Sequence, residues 1–169
     1  LTNQLLDFRK TENKGFKLNP VECSVGSIIR SVYKRFTTLV NQKGIELKVE
    51  IPEEELLASV DKEALTKILS NLFTNALKYA QTYAYLSLSV DEAGKEFTIV
   101  MSNDGKIIPI EMRENIFRPF VQYRDGKDIV PGTGIGLALA RSLAELHQGT
   151  LTMDQDMECN RFILSIPIR

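Results

Sequence analysis

The chain has 169 residues, 43% of them hydrophobic and 25% charged, with a formal net charge of −1. That suits one domain with a real apolar core, alone or with an appendage, and excludes the global basic field that would draw a chain to nucleic acid or an anionic membrane. No apolar run approaches the roughly 18 residues of a membrane span, and the first residues do not read as a signal peptide.

Leu1, Leu5 and Phe8 share one helical face, too short a stripe to hold a helix by itself. This opening reads as the end of a longer helix, and Gly15 to Pro20 reads as a linker. Ser24 is placed to cap a helix in which Val25, Ile28, Ile29, Val32, Phe36, Leu39 and Val40 keep helical period, ended by Gly44. Ile45, Leu47, Val49 and Ile51 alternate with Glu46, Lys48 and Glu50, the pattern of a half-buried strand, and a short apolar run from Leu56 to Val60 follows.

Asp61 opens a long helix to about Ala80, with Leu65, Ile68, Leu69, Leu72 and Ala76 as its core stripe. Two alternating runs, Leu86-Leu88-Val90 and Phe97-Ile99-Met101, flank the polar stretch Asp91–Glu96 and predict a hairpin. Asn103 to Pro109 reads as a loop, Glu111 to Ile116 as a short helix, and 121 to 133 as a long aperiodic loop. Ile135, Leu139, Leu143 and Leu146 mark a last helix ended by Gly149, and strands near 150–154 and 160–167 close the chain. The fold expected is an α/β (α+β) two-layer sandwich, a mixed and largely antiparallel sheet with helices on one face.

Four stretches carry chemistry. Gly132-Thr133-Gly134-Ile135-Gly136-Leu137 runs from glycines into a helix start, which offers unpaired N–H groups and a positive dipole end to an anion. A helix start needing positive φ reads the same way. It is neither a Walker loop, since no Gly-Lys-Ser/Thr follows, nor the dinucleotide fingerprint, since Leu137 replaces the third glycine. On the helix from Asp61, Lys67, Asn71, Asn75 and Lys78 line up opposite the core stripe. Asparagine is a poor helix former, so two of them one turn apart call for a reason. An amide oxygen can ligate Mg²⁺ and a lysine can meet phosphate, although a solvated face is the plainer reading of each residue alone. Ser102 to Pro109 is a polar turn whose side-chain carbonyl could accept from an adenine amine. Ile116-Phe117-Arg118-Pro119-Phe120 sets apolar residues beside the long loop, as core packing would also explain.

In this order, Asn71-Leu72-Phe73-Thr74-Asn75-Ala76-Leu77-Lys78-Tyr79, Asn103-Asp104-Gly105, Phe117-Arg118-Pro119-Phe120 and Gly132 to Leu137 resemble the nucleotide-binding boxes of sensor histidine kinases and their ATPase relatives. The resemblance covers about residues 25 to 168. It implies a Bergerat-type ATP-binding fold at 25–169, the end of a dimerisation helix at 1–14 and a linker at 15–24. The opening stretch Asn3 to Lys10 is similar to the end of that dimerisation helix and, with the helix from Ala140 to His147, resembles kinases of hybrid two-component receptors.

What the resemblance implies is phosphoryl transfer from ATP to a histidine, with Mg²⁺ as cofactor. Asn75 would ligate the metal and, with Lys78, carry catalysis, while Asn71 and Tyr79 surround the nucleotide. Asn103 would face the adenine, with Gly105, Ile108, Phe117 and Phe120 beside it. Gly132, Gly134 and Gly136 would hinge a lid, with Thr133, Ile135 and Leu137 at the helix start near the phosphates. Its implied partners are the chain's own dimerisation and phosphoacceptor domain, a second copy in a homodimer and a response-regulator receiver, with no nucleic acid. The implied setting is the cytoplasmic side of an inner-membrane sensor. Three positions depart from the family pattern. Asn103 replaces aspartate, Ile107 replaces a glycine, and Gln122 stands where arginine is frequent, which leaves Arg124 to meet the γ-phosphate.

The single histidine, His147, precedes Gln148 rather than the acidic residue that follows the family's acceptor, so a structural role at a helix end is expected. One histidine also rules against a histidine-cluster metal site. Cys23 and Cys159 match no metal spacing and read as reduced thiols. Two competing readings are an ATP-hydrolysing clamp, as in gyrase or mismatch-repair proteins, and a nucleotide-binding module without catalysis. Clamps use a glutamate base where Asn71 stands, and an amide accepts no proton at neutral pH.

Overall fold

A computed structural model describes residues 2–121, 134–156 and 158–168. Helix α1 spans Thr2–Glu12, and a four-residue strand β1 covers Val21–Ser24. Helix α2, Val25–Lys43, starts where the Ser24 side chain accepts from the Ser27 N–H and stops at Gly44 in a left-handed conformation. Strands β2 (Glu46–Glu50) and β3 (Leu57–Val60) lead to helix α3, Lys62–Tyr79. Asp61 caps α3 by accepting from the Ala64 N–H. The hairpin of β4 (Tyr83–Val90) and β5 (Glu96–Asn103), helix α4 (Gly136–Leu146), and the pair β6 (Thr150–Asp156) and β7 (Cys159–Pro167) complete the fold.

The main sheet runs β2-β4-β5-β7-β6, with only the β2–β4 pair parallel. Burial along β5 and β7 alternates strictly, so one face of the sheet is covered and the other is not. Phe97, Ile99, Met101, Phe162, Leu164 and Ile166 from that face meet the α3 stripe Leu65, Ile68, Leu69, Leu72 and Ala76 in one core. The mixed two-layer sandwich expected from the alternation is the one observed.

One strand was not foreseen and one local expectation is corrected. Residues 15–20, read as linker, form no helix or strand, but directly after them β1 pairs antiparallel with β3, Val21 opposite Val60. Half-exposed and four residues long, it carries no periodicity to read and exists through its partner strand. The single short helix expected over 111–116 is instead two 3-10 turns, Ile110–Met112 and Asn115–Phe117, the second burying Ile116 and Phe117. At the other end, α1 lies along α4 and sets Phe8 against the core.

Candidate functional site

Asn71 and Asn75 sit one turn apart on α3, but their surroundings differ. Asn75 is half-buried, whereas Asn71 is only 7% exposed because the start of α4 closes over it. A Cβ built on Gly136 would stand 2.9 Å from Asn71 Oδ1, so the glycine is what lets the amide fit. Among the described residues Asn71 Nδ2 has no hydrogen-bond partner. A buried N–H left without an acceptor is costly, so an acceptor placed beside it would be favoured there. In the last turn of α3, burial and the nearby Lys43 ammonium hold Lys78 below the usual lysine pKa, and burial pushes the Tyr79 phenol up.

The loop after β5 is held from three sides. Asn103, 1% exposed, accepts the Gly105 N–H on its Oδ1 at 2.9 Å. Gly105 passes so close to α3 that a Cβ there would meet the Tyr79 carbonyl oxygen at 2.2 Å. Asn160, which the sequence reading missed, faces Asn103 across the β5–β7 pair and is equally buried. Its Oδ1 accepts from the Ile108 N–H at 3.0 Å, and its Nδ2 donates to the Lys106 carbonyl at 2.9 Å. The signal was present, since Asn160 shares the inward register of Phe162, Leu164 and Ile166.

Asp104 turns the other way. It accepts from the backbone N–H groups of Gln81, Thr82 and Tyr83 and from the Thr82 hydroxyl, clamping the turn between α3 and β4. Its burial would raise the carboxyl pKa, but those donors outweigh it and hold the pKa at about 2. A carboxylate so engaged is a structural clamp, which leaves Asn103 as the inward-facing polar group of the pair.

Among the described residues no side chain caps the first turn of α4, in contrast to α2 and α3. A helix start of this kind favours an anion in general, through its leading N–H groups and the positive end of its dipole. Ile135 is in the core and Leu137 packs against it. Gly134 has a φ of +74° and lies back-to-back with Phe120, whose N–H donates to the Gly134 carbonyl at 2.8 Å. A Cβ at 134 would stand 2.7 Å from the Phe120 Cα, so both the conformation and the approach require glycine. Phe120 itself is 70% exposed, while Phe117 is in the core, edge-on to Phe162 and under the Arg141 guanidinium. Packing accounts for Phe117, and Ile108 is likewise buried. Gln122, Arg124, Gly132 and Thr133, and with them most of the expected lid, lie outside the described residues.

His147 is buried and structural. Its Nδ1 bonds the Leu143 carbonyl at 2.8 Å, and its Nε2 accepts the Asp61 N–H at 3.1 Å, tying the end of α4 to the start of α3. Both ring nitrogens are thereby engaged. Cys23 and Cys159 are not joined in a disulfide, and among the described residues no group of three or more His, Cys, Asp and Glu could hold a metal.

Along α3, Asn71 thus meets the start of α4 in mid-helix, Lys78 lies in the last turn, and the loop carrying buried Asn103 passes Tyr79 at the helix end. Residues 60–169, more than half of the chain, match the family described as histidine kinase-, DNA gyrase B-, and HSP90-like ATPase, and the chain belongs to that family. Histidine kinase P4 of Formosa agariphila is 27% identical over 99% of this chain, which corresponds to 13% of that protein. The nucleotide-free catalytic domain of the histidine kinase ThkA superposes with a TM-score of 0.76 at 25% identity, covering 89% of this chain and 99% of that one. Full-length ShkA, solved in complex with AMPPNP, shares the fold with a TM-score of 0.86 at 22% identity, over 98% of this chain and 35% of that one. The chain spans a small fraction of the curated relatives it matches, 13% and 28% of the first two.

Proposed function

We propose that this member of the family is the ATP-binding catalytic domain of a sensor histidine kinase. In it, the γ-phosphoryl group of ATP passes to a histidine nitrogen on a dimerisation domain and from there to a response-regulator receiver. The observation that carries the reading is the meeting of Asn71 with Gly136. Two boxes far apart in sequence share one buried spot there, and among the described residues the amide between them lacks an acceptor at Nδ2.

The residues fit a magnesium nucleotide. Asn71 Nδ2 is a donor without an acceptor among the described residues, the α4 start supplies backbone N–H groups, and Lys78 supplies positive charge. Asn75 would hold the metal through its amide oxygen, since a hard divalent cation takes oxygen ligands and shares them with phosphates and water. When bound, the metal neutralises phosphate charge. Asn103, at the end of β5, would face the adenine, with Tyr79, Gly105 and Ile108 around it, and Arg124 would meet the γ-phosphate. In phosphoryl transfer the protein's share is positioning and charge stabilisation, and these are what amides, N–H groups and a lysine provide. The amide of Asn71 cannot act as the base that an ATP-hydrolysing clamp needs at this position.

Residues 1–14 would be the end of the dimerisation helix, 15–24 its connection and 25–169 the catalytic unit, working in a homodimer on the cytoplasmic side of an inner-membrane sensor. Among the described residues no helix is long and apolar enough to cross a membrane. Calorimetric titration with ATP and Mg²⁺ tests the site. One-to-one binding is expected, with its Mg²⁺-dependent part lost in Asn75→Ala, and the absence of heat at saturating nucleotide overturns the proposal. Phosphotransfer to a supplied dimerisation helix pair then tests the kinase role.

A further inference from the structure

The N-terminal helix reaches directly into this site. Gln4, on α1, donates from Nε2 to Asn71 Oδ1 at 2.6 Å, across 67 positions of sequence. Three residues along α1, Asp7 pairs with Lys67 at 2.7 Å, and Lys67 lies one turn before Asn71 on α3. Two neighbouring contacts therefore dock matching faces of α1 and α3.

An asparagine side chain is a donor at one end and an acceptor at the other, and a half-turn exchanges them. Gln4 carries an amide as well, so the two can exchange ends only together, and in the structure Gln4 Nε2 is the donor to Asn71 Oδ1. With Gln4 engaging Oδ1, the Asn71 amide is set with Nδ2 on its other side, and that is the buried donor that has no partner among the described residues. Gly136 leaves room for Oδ1 in this setting.

We propose that Gln4 is a positioning residue of the nucleotide site. It fixes the polarity of the Asn71 amide so that the free end offers a hydrogen to an acceptor atom of the nucleotide. The inference rests on the nucleotide-site reading above and adds to it a contact from outside the catalytic unit. It separates two roles that α1 could play, since Gln4 sets the amide and Asp7 contributes only docking.

The test uses ADP titrations and side-chain amide NMR on the ¹⁵N-labelled chain, with the Asn71 signals identified by their loss in Asn71→Asp. Gln4→Glu swaps the donor for an acceptor, which would draw Nδ2–H toward α1 and turn Oδ1 to the nucleotide. The Asn71 amide signals should shift in the free protein, and ADP affinity should fall about tenfold, with a fall of about threefold in Gln4→Ala. Gln4→Lys keeps a donor and should bind ADP within about twofold of the native chain, and Asp7→Ala should do so as well while lowering the melting temperature. Native ADP affinity in Gln4→Glu overturns the proposal while leaving the site intact. Equal losses in Asp7→Ala and Gln4→Ala also overturn it, since they would mean docking alone. No ADP binding by the native chain overturns both readings.

Discussion

Asn103 and Asn160 stand directly opposite each other on β5 and β7, both buried at 1% exposure, and hold one loop between them. Asn103 accepts the Gly105 N–H, and Asn160 takes the Ile108 N–H and the Lys106 carbonyl. An apolar sheet face thus ends in a polar pair that shapes the loop after β5.

Replacing Asn160 by leucine strands a buried N–H and a carbonyl. The loss expected in denaturant unfolding is about 1–3 kcal/mol, with weaker nucleotide binding from the loosened loop. Asn160→Asp keeps the acceptor for Ile108 and should fall between the two. Unchanged unfolding of Asn160→Leu would show that the loop does not depend on this side chain.

Asn103→Asp keeps the acceptor for Gly105 and offers adenine a charged partner, so ATP affinity should hold or improve. Asn103→Ala should cost about 1–3 kcal/mol of ATP binding through the unpaired edge of the base. Because an amide can turn, the native chain should discriminate less sharply against GTP than the aspartate variant. Paired ATP and GTP titrations of the three proteins decide it.

Gly134→Ala forces a side chain into a positive-φ position against the Phe120 backbone. Strain at one such residue is about 1–2 kcal/mol, and the clash adds to it. Both the melting temperature and nucleotide affinity should drop. A variant that melts and binds like the native chain would place the constraint elsewhere.

Asp104 makes stability depend on pH in the acid range. Its folded pKa, about 2, lies below the ordinary 3.8, so its contribution is complete above about 3.8 and is lost as the pH falls through about 2. Asp104→Asn should be less stable at neutral pH and show a shallower acid decline across that interval. Urea midpoints measured from pH 7 to pH 2 would reveal it, and parallel curves for the two proteins would remove the clamp from the account.

His147→Ala leaves the Asp61 N–H and the Leu143 carbonyl without their link, for a loss of about 1–3 kcal/mol. Because both ring nitrogens are already bonded, radiolabelled ATP should leave no acid-labile phosphate on His147 in this chain. Stable label there would make it an acceptor instead.

The helices capped by Ser24 and Asp61, the β4–β5 hairpin and the core stripe of α3 were all legible in the sequence. Capping and side-chain period are set by backbone geometry within a few residues. The four boxes were legible too, because each is a contiguous run, but how they pack against one another was not. Whether Asn71 lies on a solvated face or in a buried contact depends on α4 folding over it, and no local pattern encodes that. The same holds for β1, which exists only against β3, and for the 3-10 turns, whose apolar residues are placed by the core they fill. The long-range pairs Gln4 with Asn71, Asn160 with Ile108 and His147 with Asp61 join residues 67, 52 and 86 positions apart. A side chain's alternation or period says which way it faces, but only the docking of helix on sheet decides which donor meets which acceptor.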